Sequence, residues 1–131
     1  MPGPAFSYAV VRVVPRVERE EFVNAGVILF CAERRWLGCR LLERERLGKR
    51  LAALAPAADA DEIARHLAAI AAVCAGETAA GSIGTMSASE RFHWLVAPRS
   101  TTIQSSPVHA GVADDPRAAL EHLFERLVAA Q

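Results

Sequence analysis

The chain has 131 residues, 52% of them hydrophobic and 23% charged, a balance that suits one globular domain with its own core and excludes a disordered chain. Fifteen basic residues match fifteen acidic ones, so no net charge draws the whole molecule to nucleic acid or to an anionic membrane. Three cysteines, Cys31, Cys39 and Cys74, form no Cys-x-x-Cys pair, and without a secretory leader they read as reduced thiols of a cytoplasmic protein.

Taken in order, residues Met1 to Ala5 lack the basic and apolar regions of a signal peptide and are expected to fray. Phe6 to Val14 is rich in valine and reads as a strand that ends at Pro15, which cannot donate to a ladder. Alternation sets Tyr8, Val10, Arg12 and Val14 on one face, so Arg12 is the single charge of an apolar strand. The expected explanation is an edge position with the guanidinium reaching water. A charged elbow follows, with Arg16, Glu18, Arg19, Glu20 and Glu21. Val23 to Ala32 is apolar almost throughout and predicts a central strand buried on both faces, with Gly26 marking a bulge or a close backbone approach. Glu33 to Arg35 is a turn, and Trp36 to Leu42 returns as a third strand of an antiparallel meander.

The period then changes. Leu47, Leu51 and Leu54 form the stripe of a short helix that stops before Pro56. A second helix starts at Asp59 or Asp61 and ends near Gly76, with Ile63, Leu67, Ile70 and Cys74 as its stripe. Residues 77 to 90 are small and polar and predict a flexible loop. Phe92 to Ala97 reads as a fourth strand, and Thr101 to Ser106 as a short fifth one. Asp114 or Asp115 caps a last helix with Pro116 in its first turn and Leu120, Leu123, Phe124, Leu127 and Val128 on one side. The expected fold is α+β: an antiparallel sheet of four to five strands with about three helices, mostly on one face, and the C-terminal helix packed on the sheet.

Two stretches carry chemistry. Asn24 lies in an apolar strand, where a buried amide needs hydrogen-bond partners, and backbone groups of the elbow or of the Gly26 bulge are the expected ones. The run Arg99 to Gly111 places a guanidinium, hydroxyls, Gln104 and His109 before a helix start. It reads as a polar connection, or as an anion cradle with no phosphate-binding glycine motif. A candidate site joins the two stretches through Arg12, Glu20, Asn24, Gln104, Ser105 and His109. Ser105 or Ser106 beside His109 is too little for a nucleophile and base. The four histidines are scattered, so neither a metal nor another cofactor is expected. The basic segment Arg34 to Arg50 interleaves with glutamates as a solvated helix face does, and nucleic acid is not expected as its partner. No apolar run has the length of a membrane span.

The segments Tyr8 to Pro15, Arg19-Glu-Glu-Phe-Val-Asn-Ala-Gly-Val-Ile-Leu-Phe30 and Ile103-Gln-Ser-Ser-Pro-Val-His-Ala-Gly111 ahead of Asp115-Pro116 together resemble a bacterial family known as domain of unknown function 3037. That pattern would set a glycine where this chain has Glu21, which implies a looser elbow here. The resemblance brings no catalytic residue and no cofactor with it. It implies a small bacterial cytoplasmic protein and points to a HipA-like kinase as a candidate protein partner. The expected function is a non-enzymatic interaction or regulatory module, with homo-oligomerisation open to it. The alternative is a small enzyme or anion-binding domain using Glu20, Asn24 and Gly26 with the segment Gln104 to His109.

Overall fold

The computed structural model describes residues 3–99 and 101–130. Strands β1 (Ala5–Val13), β2 (Val23–Cys31) and β3 (Trp36–Leu41) form the meander, in the order β3-β2-β1. Strands β4 (Ile103–Ser105) and β5 (His109–Val112) both pair antiparallel with the far side of β1. The apolar run of β2 is explained by its central place: Ala25, Val27, Ile28, Leu29 and Cys31 are all buried. Gly26 does both things expected of it. The β1–β2 register runs Val10 to Val27 and Val11 to Gly26, then Arg12 to Asn24, which leaves Ala25 as the extra residue of a bulge. A Cβ at Gly26 would lie 2.8 Å from the Arg40 carbonyl oxygen, closer than a side chain can sit.

β4 and β5 are one edge strand interrupted by a second irregularity. Val11 faces Ser105 and Tyr8 faces His109, so three steps along β1 match four along its partner. Ser106 absorbs the extra residue. Its N–H donates to the Val10 carbonyl at 2.8 Å, and its hydroxyl accepts from the Val10 N–H at 2.8 Å and donates to the Pro107 carbonyl at 2.9 Å. Pro107 is tolerated because an edge strand need not donate outward, and a bulged edge resists pairing with another chain.

Helix α1 (Arg44–Leu54) buries Leu47 and Leu51, as their spacing predicts. Helix α2 (Ala60–Ala75) is capped by Asp59, which accepts from the Glu62 N–H at 3.1 Å, and ends at Gly76 with φ of 70°. Helix α3 (Ala88–Leu95) stacks Phe92 on Phe30 of β2, ring centroids 5.5 Å apart. Helix α4 (Pro116–Phe124) continues as a π turn, Glu125–Ala129, and Asp115 caps it. Successive strand residues face opposite ways, so neighbouring contacts separate the layers. Phe30, on the same face as Cys39, meets α3, whereas Arg40 on the other face lies over the Phe124 ring at 4.4 Å and pairs with Glu121 at 3.3 Å. The C-terminal helix therefore covers one face and α2 with α3 the other, which corrects the expectation that the helices lie mostly on one face.

Other sequence expectations are corrected as well. Phe92 to Ala97 is not a strand: most of it belongs to α3, whose start lies inside the stretch expected to be a flexible loop. The signal is a capping box, in which the Ser87 hydroxyl accepts from the Glu90 N–H at 3.2 Å and the Glu90 carboxylate accepts from the Ser87 N–H at 3.4 Å. The rest of residues 77 to 90 is chiefly a 3-10 segment, Thr78–Thr85. Nor is the leader frayed from residue 3 onward: β1 begins at Ala5, and the Ala113 N–H donates to the Pro4 carbonyl at 3.1 Å. Met1 and Pro2 lie outside the described residues. Among the described residues no single helix is long and apolar enough to cross a membrane. The pair α2 and Thr78–Thr85 passes by length and composition alone, is bent by 52°, and buries Ile63, Leu67, Val73 and Cys74 in the core.

Candidate functional site

β1 is paired on both sides, so the edge position expected for Arg12 is wrong. Its register sets Arg12 opposite Asn24 on one flank and opposite Gln104 on the other. Residues directly opposed in antiparallel strands share a face, so these three polar side chains form a row across the sheet, about 5 Å from strand to strand. Arg12 is half-buried. Its guanidinium lies 4.3 Å over the Phe22 ring, and its buried Nε has no hydrogen-bond partner among the described residues. Stacking on an aromatic ring is how a guanidinium tolerates such a place.

The two amides of the row bond to backbone. Asn24 Nδ2 donates to the Leu127 carbonyl at 3.0 Å, tying the sheet to the end of the C-terminal helix instead of to the elbow or the bulge. A carbonyl in the last turn of a helix lacks an intrahelical donor, which is why this one is free to accept. Gln104 Nε2 donates to the Thr101 carbonyl at 2.9 Å.

The remaining candidates stand apart from the row. His109 is exposed and faces Tyr8, with ring centroids 5.4 Å apart, on the same face as Arg12 but four residues along β1, about 13 Å away. Ser105 faces Val11 and thus points to the opposite face from His109, and its hydroxyl donates to the Ser106 carbonyl at 2.7 Å. Glu20 closes the 3-10 turn Val17–Arg19 in a left-handed conformation with φ of 56°, and its N–H donates to the Val17 carbonyl at 3.2 Å. Glu21 pairs with Arg19. Among the described residues no three His, Cys, Asp or Glu side chains converge as a metal would require.

Two features escaped the sequence reading. A cleft of about 480 Å³ opens between α2, the 3-10 segment Thr78–Thr85, the end of α3 and β4. Ile70, Val73, Ile83, Leu95 and Ile103 supply its walls, and Trp94 stands at its rim, 47% exposed. Arg99 sits beside it, donating to the Trp94 and Leu95 carbonyls at 2.8 and 3.0 Å with its guanidinium 4.7 Å over the Trp94 ring. No carboxylate lines this cleft among the described residues. The capping box at Ser87 was the signal that would have turned Phe92 and Leu95 inward and Trp94 out. A smaller recess of about 410 Å³ lies between the elbow and the α1–α2 connection.

The second feature is a pair of thiols. Cys39 lies in β3 and Cys74 in the last turn of α2. The influence of Cys74 holds the Cys39 thiol below its ordinary value against the opposing effect of burial, and Cys39 together with burial pushes Cys74 up. No local spacing announces a pair drawn from a strand and a helix.

The model of a family described as a protein of unknown function, DUF3037, matches residues 8–128, and the chain belongs to that family. No curated protein and no solved structure matches significantly.

Proposed function

From a chain of this family, we propose a protein-interaction module that takes its partner in the apolar cleft between α2, α3 and β4. The observation that carries this is the cleft itself, with an exposed tryptophan at its rim. Its volume lies in the range of sites that enclose a ligand, and walls of aliphatic side chains favour an apolar occupant over a charged one. Tryptophan and arginine are the side chains that most often dominate binding at interfaces, and here they stand stacked together. The occupant is a protein segment with a large apolar side chain followed by an acidic residue, because the rim offers the Arg99 cation and no carboxylate. The row of Arg12, Asn24 and Gln104 supports a structural role instead, since both amides are taken up by backbone carbonyls.

The test is co-isolation from native cells at native expression, followed by mixing of the purified components, with the HipA-like kinase suggested by the family resemblance as the first partner to try. Wild-type protein is expected to bind one partner directly, and Ile70→Glu and Trp94→Ala to weaken that binding at least about tenfold. Lys49→Ala, on exposed α1 surface, should bind as wild type does. A partner-free monomer, or binding that both cleft variants leave intact, would overturn the proposal.

A further inference from the structure

The recess beside the elbow shares no lining residue with the cleft and is built differently. One wall is the elbow, with Pro15, Arg16, Arg19 and Glu21, and the other is the connection from α1 to α2, Leu54 to Ala58. Both walls are fixed by their backbones. The Arg19 and Glu20 N–H groups donate to the Arg16 and Val17 carbonyls at 3.1 and 3.2 Å, and the Ala55 and Ala58 N–H groups to the Leu51 and Ala55 carbonyls at 2.7 and 3.0 Å. Glu20 is left-handed, with φ of 56°, a conformation that costs free energy in any residue but glycine and persists where the surroundings hold it. Its two chain neighbours, Arg19 and Glu21, both line the recess and pair with each other. Among the described residues no carboxylate pairs with Arg16. Glu18 and Glu20 belong to the same elbow but do not line the recess. Two guanidinium groups against one carboxylate leave a single positive charge, at Arg16, facing a wall of aliphatic side chains.

We propose that this recess binds a monocarboxylate with a short aliphatic tail, the carboxylate on Arg16 and the tail against Leu54 and its proline and alanine neighbours. A guanidinium offers two parallel N–H donors that match the two oxygens of a carboxylate. One unbalanced positive charge suits a monoanion, whereas a phosphate dianion would bring a second negative charge up to Glu21 with nothing to offset it. A volume of about 410 Å³ lies toward the small end for a ligand site, which holds the tail to a few carbons. The wall from Leu54 to Ala58 carries no charged side chain, so it favours a hydrocarbon tail over a hydroxylated one. The same head and tail occur on a free short-chain acid and at the C-terminal leucine of a peptide.

The experiment titrates the isotope-labelled full chain with hexanoate, N-acetyl-alanyl-leucine, hexanamide and inorganic phosphate in turn, and follows the amide chemical shifts. The expected result is saturable shifts confined to residues 15–21 and 54–58, with a Kd of about 1–10 mM for the better carboxylate. Tighter binding of hexanoate assigns the site to a free acid, and tighter binding of the dipeptide to a chain end. Hexanamide and phosphate should bind at least about tenfold more weakly. Arg16→Gln, at an exposed side chain, should keep the wild-type melting temperature and weaken the carboxylate at least about fivefold. Glu21→Gln removes the opposing charge and releases Arg19, so it should tighten the carboxylate about threefold and admit phosphate. The proposal is overturned if neither carboxylate shifts the recess at about 50 mM, or if the shifts gather at the cleft instead. Hexanamide binding as well as hexanoate, or folded Arg16→Gln binding as wild type does, would overturn it equally.

Discussion

Ser106→Ala tests how the edge strand is held. The side chain is 4% exposed, and its hydroxyl is the acceptor for the buried Val10 N–H at 2.8 Å. With a methyl group in its place, that N–H faces apolar surroundings inside the sheet. A buried donor left unmet costs about 1–3 kcal/mol, and the lost bond to the Pro107 carbonyl adds about 0.5–1 kcal/mol. The total is about 1.5–4 kcal/mol, which in a chain of this size lowers the melting temperature by about 4–16 °C. Thermal unfolding followed by circular dichroism measures the loss, and amide hydrogen exchange at Val10 locates it. Ser105→Ala is the matched control, because that hydroxyl donates only to the neighbouring Ser106 carbonyl, and it should cost less than about 1 kcal/mol. Equal losses in the two variants, or unchanged protection of the Val10 amide in Ser106→Ala, would refute the reasoning. The same hydroxyl fixes the register that places Gln104 opposite Arg12 and Ile103 at the cleft, so the partner-binding variants should be assayed beside it.

Gly26→Ala is expected to destabilise by about 2 kcal/mol or more in chemical denaturation, because the new methyl meets the Arg40 carbonyl and the Leu41 side chain and a paired backbone cannot withdraw. A variant as stable as wild type would mean that β3 can shift away. Asn24→Ala should cost about 1–2 kcal/mol and raise exchange in the C-terminal π turn, since it removes the bond to the Leu127 carbonyl. If partner binding were lost while the melting temperature stayed at the wild-type value, the structural role assigned to Asn24 would be wrong.

The sequence by itself determined the elements whose signals are local. Valine-rich runs closed by Pro15 and by the Glu33 to Arg35 turn marked the three-stranded meander, and an aspartate cap (Asp59 or Asp61, Asp114 or Asp115) ahead of an apolar stripe marked α2 and α4, where the structure selects Asp59 and Asp115. The helix at Ala88–Leu95 has a local signal too, in Ser87 and Glu90, but the aromatic and branched residues from Phe92 to Val96 after a polar stretch imitate a strand. Tertiary structure alone decided what depends on neighbours. Arg12 looks like an edge residue because a charge in an apolar strand usually reaches water, yet it is central because β4 closes on the far side of β1, and pairing between strands so distant in sequence leaves no local trace. Asn24 announced that it needed a partner, but only the packing of α4 over the sheet made that partner Leu127. His109 and Arg12 share a face as two polar residues of adjoining strands can, while the bulge at Ser106 sets how far apart they lie. The cleft and the thiol pair belong wholly to this second class. Each is made by side chains of separate elements, and a periodic pattern records which way a side chain points but not what stands opposite it.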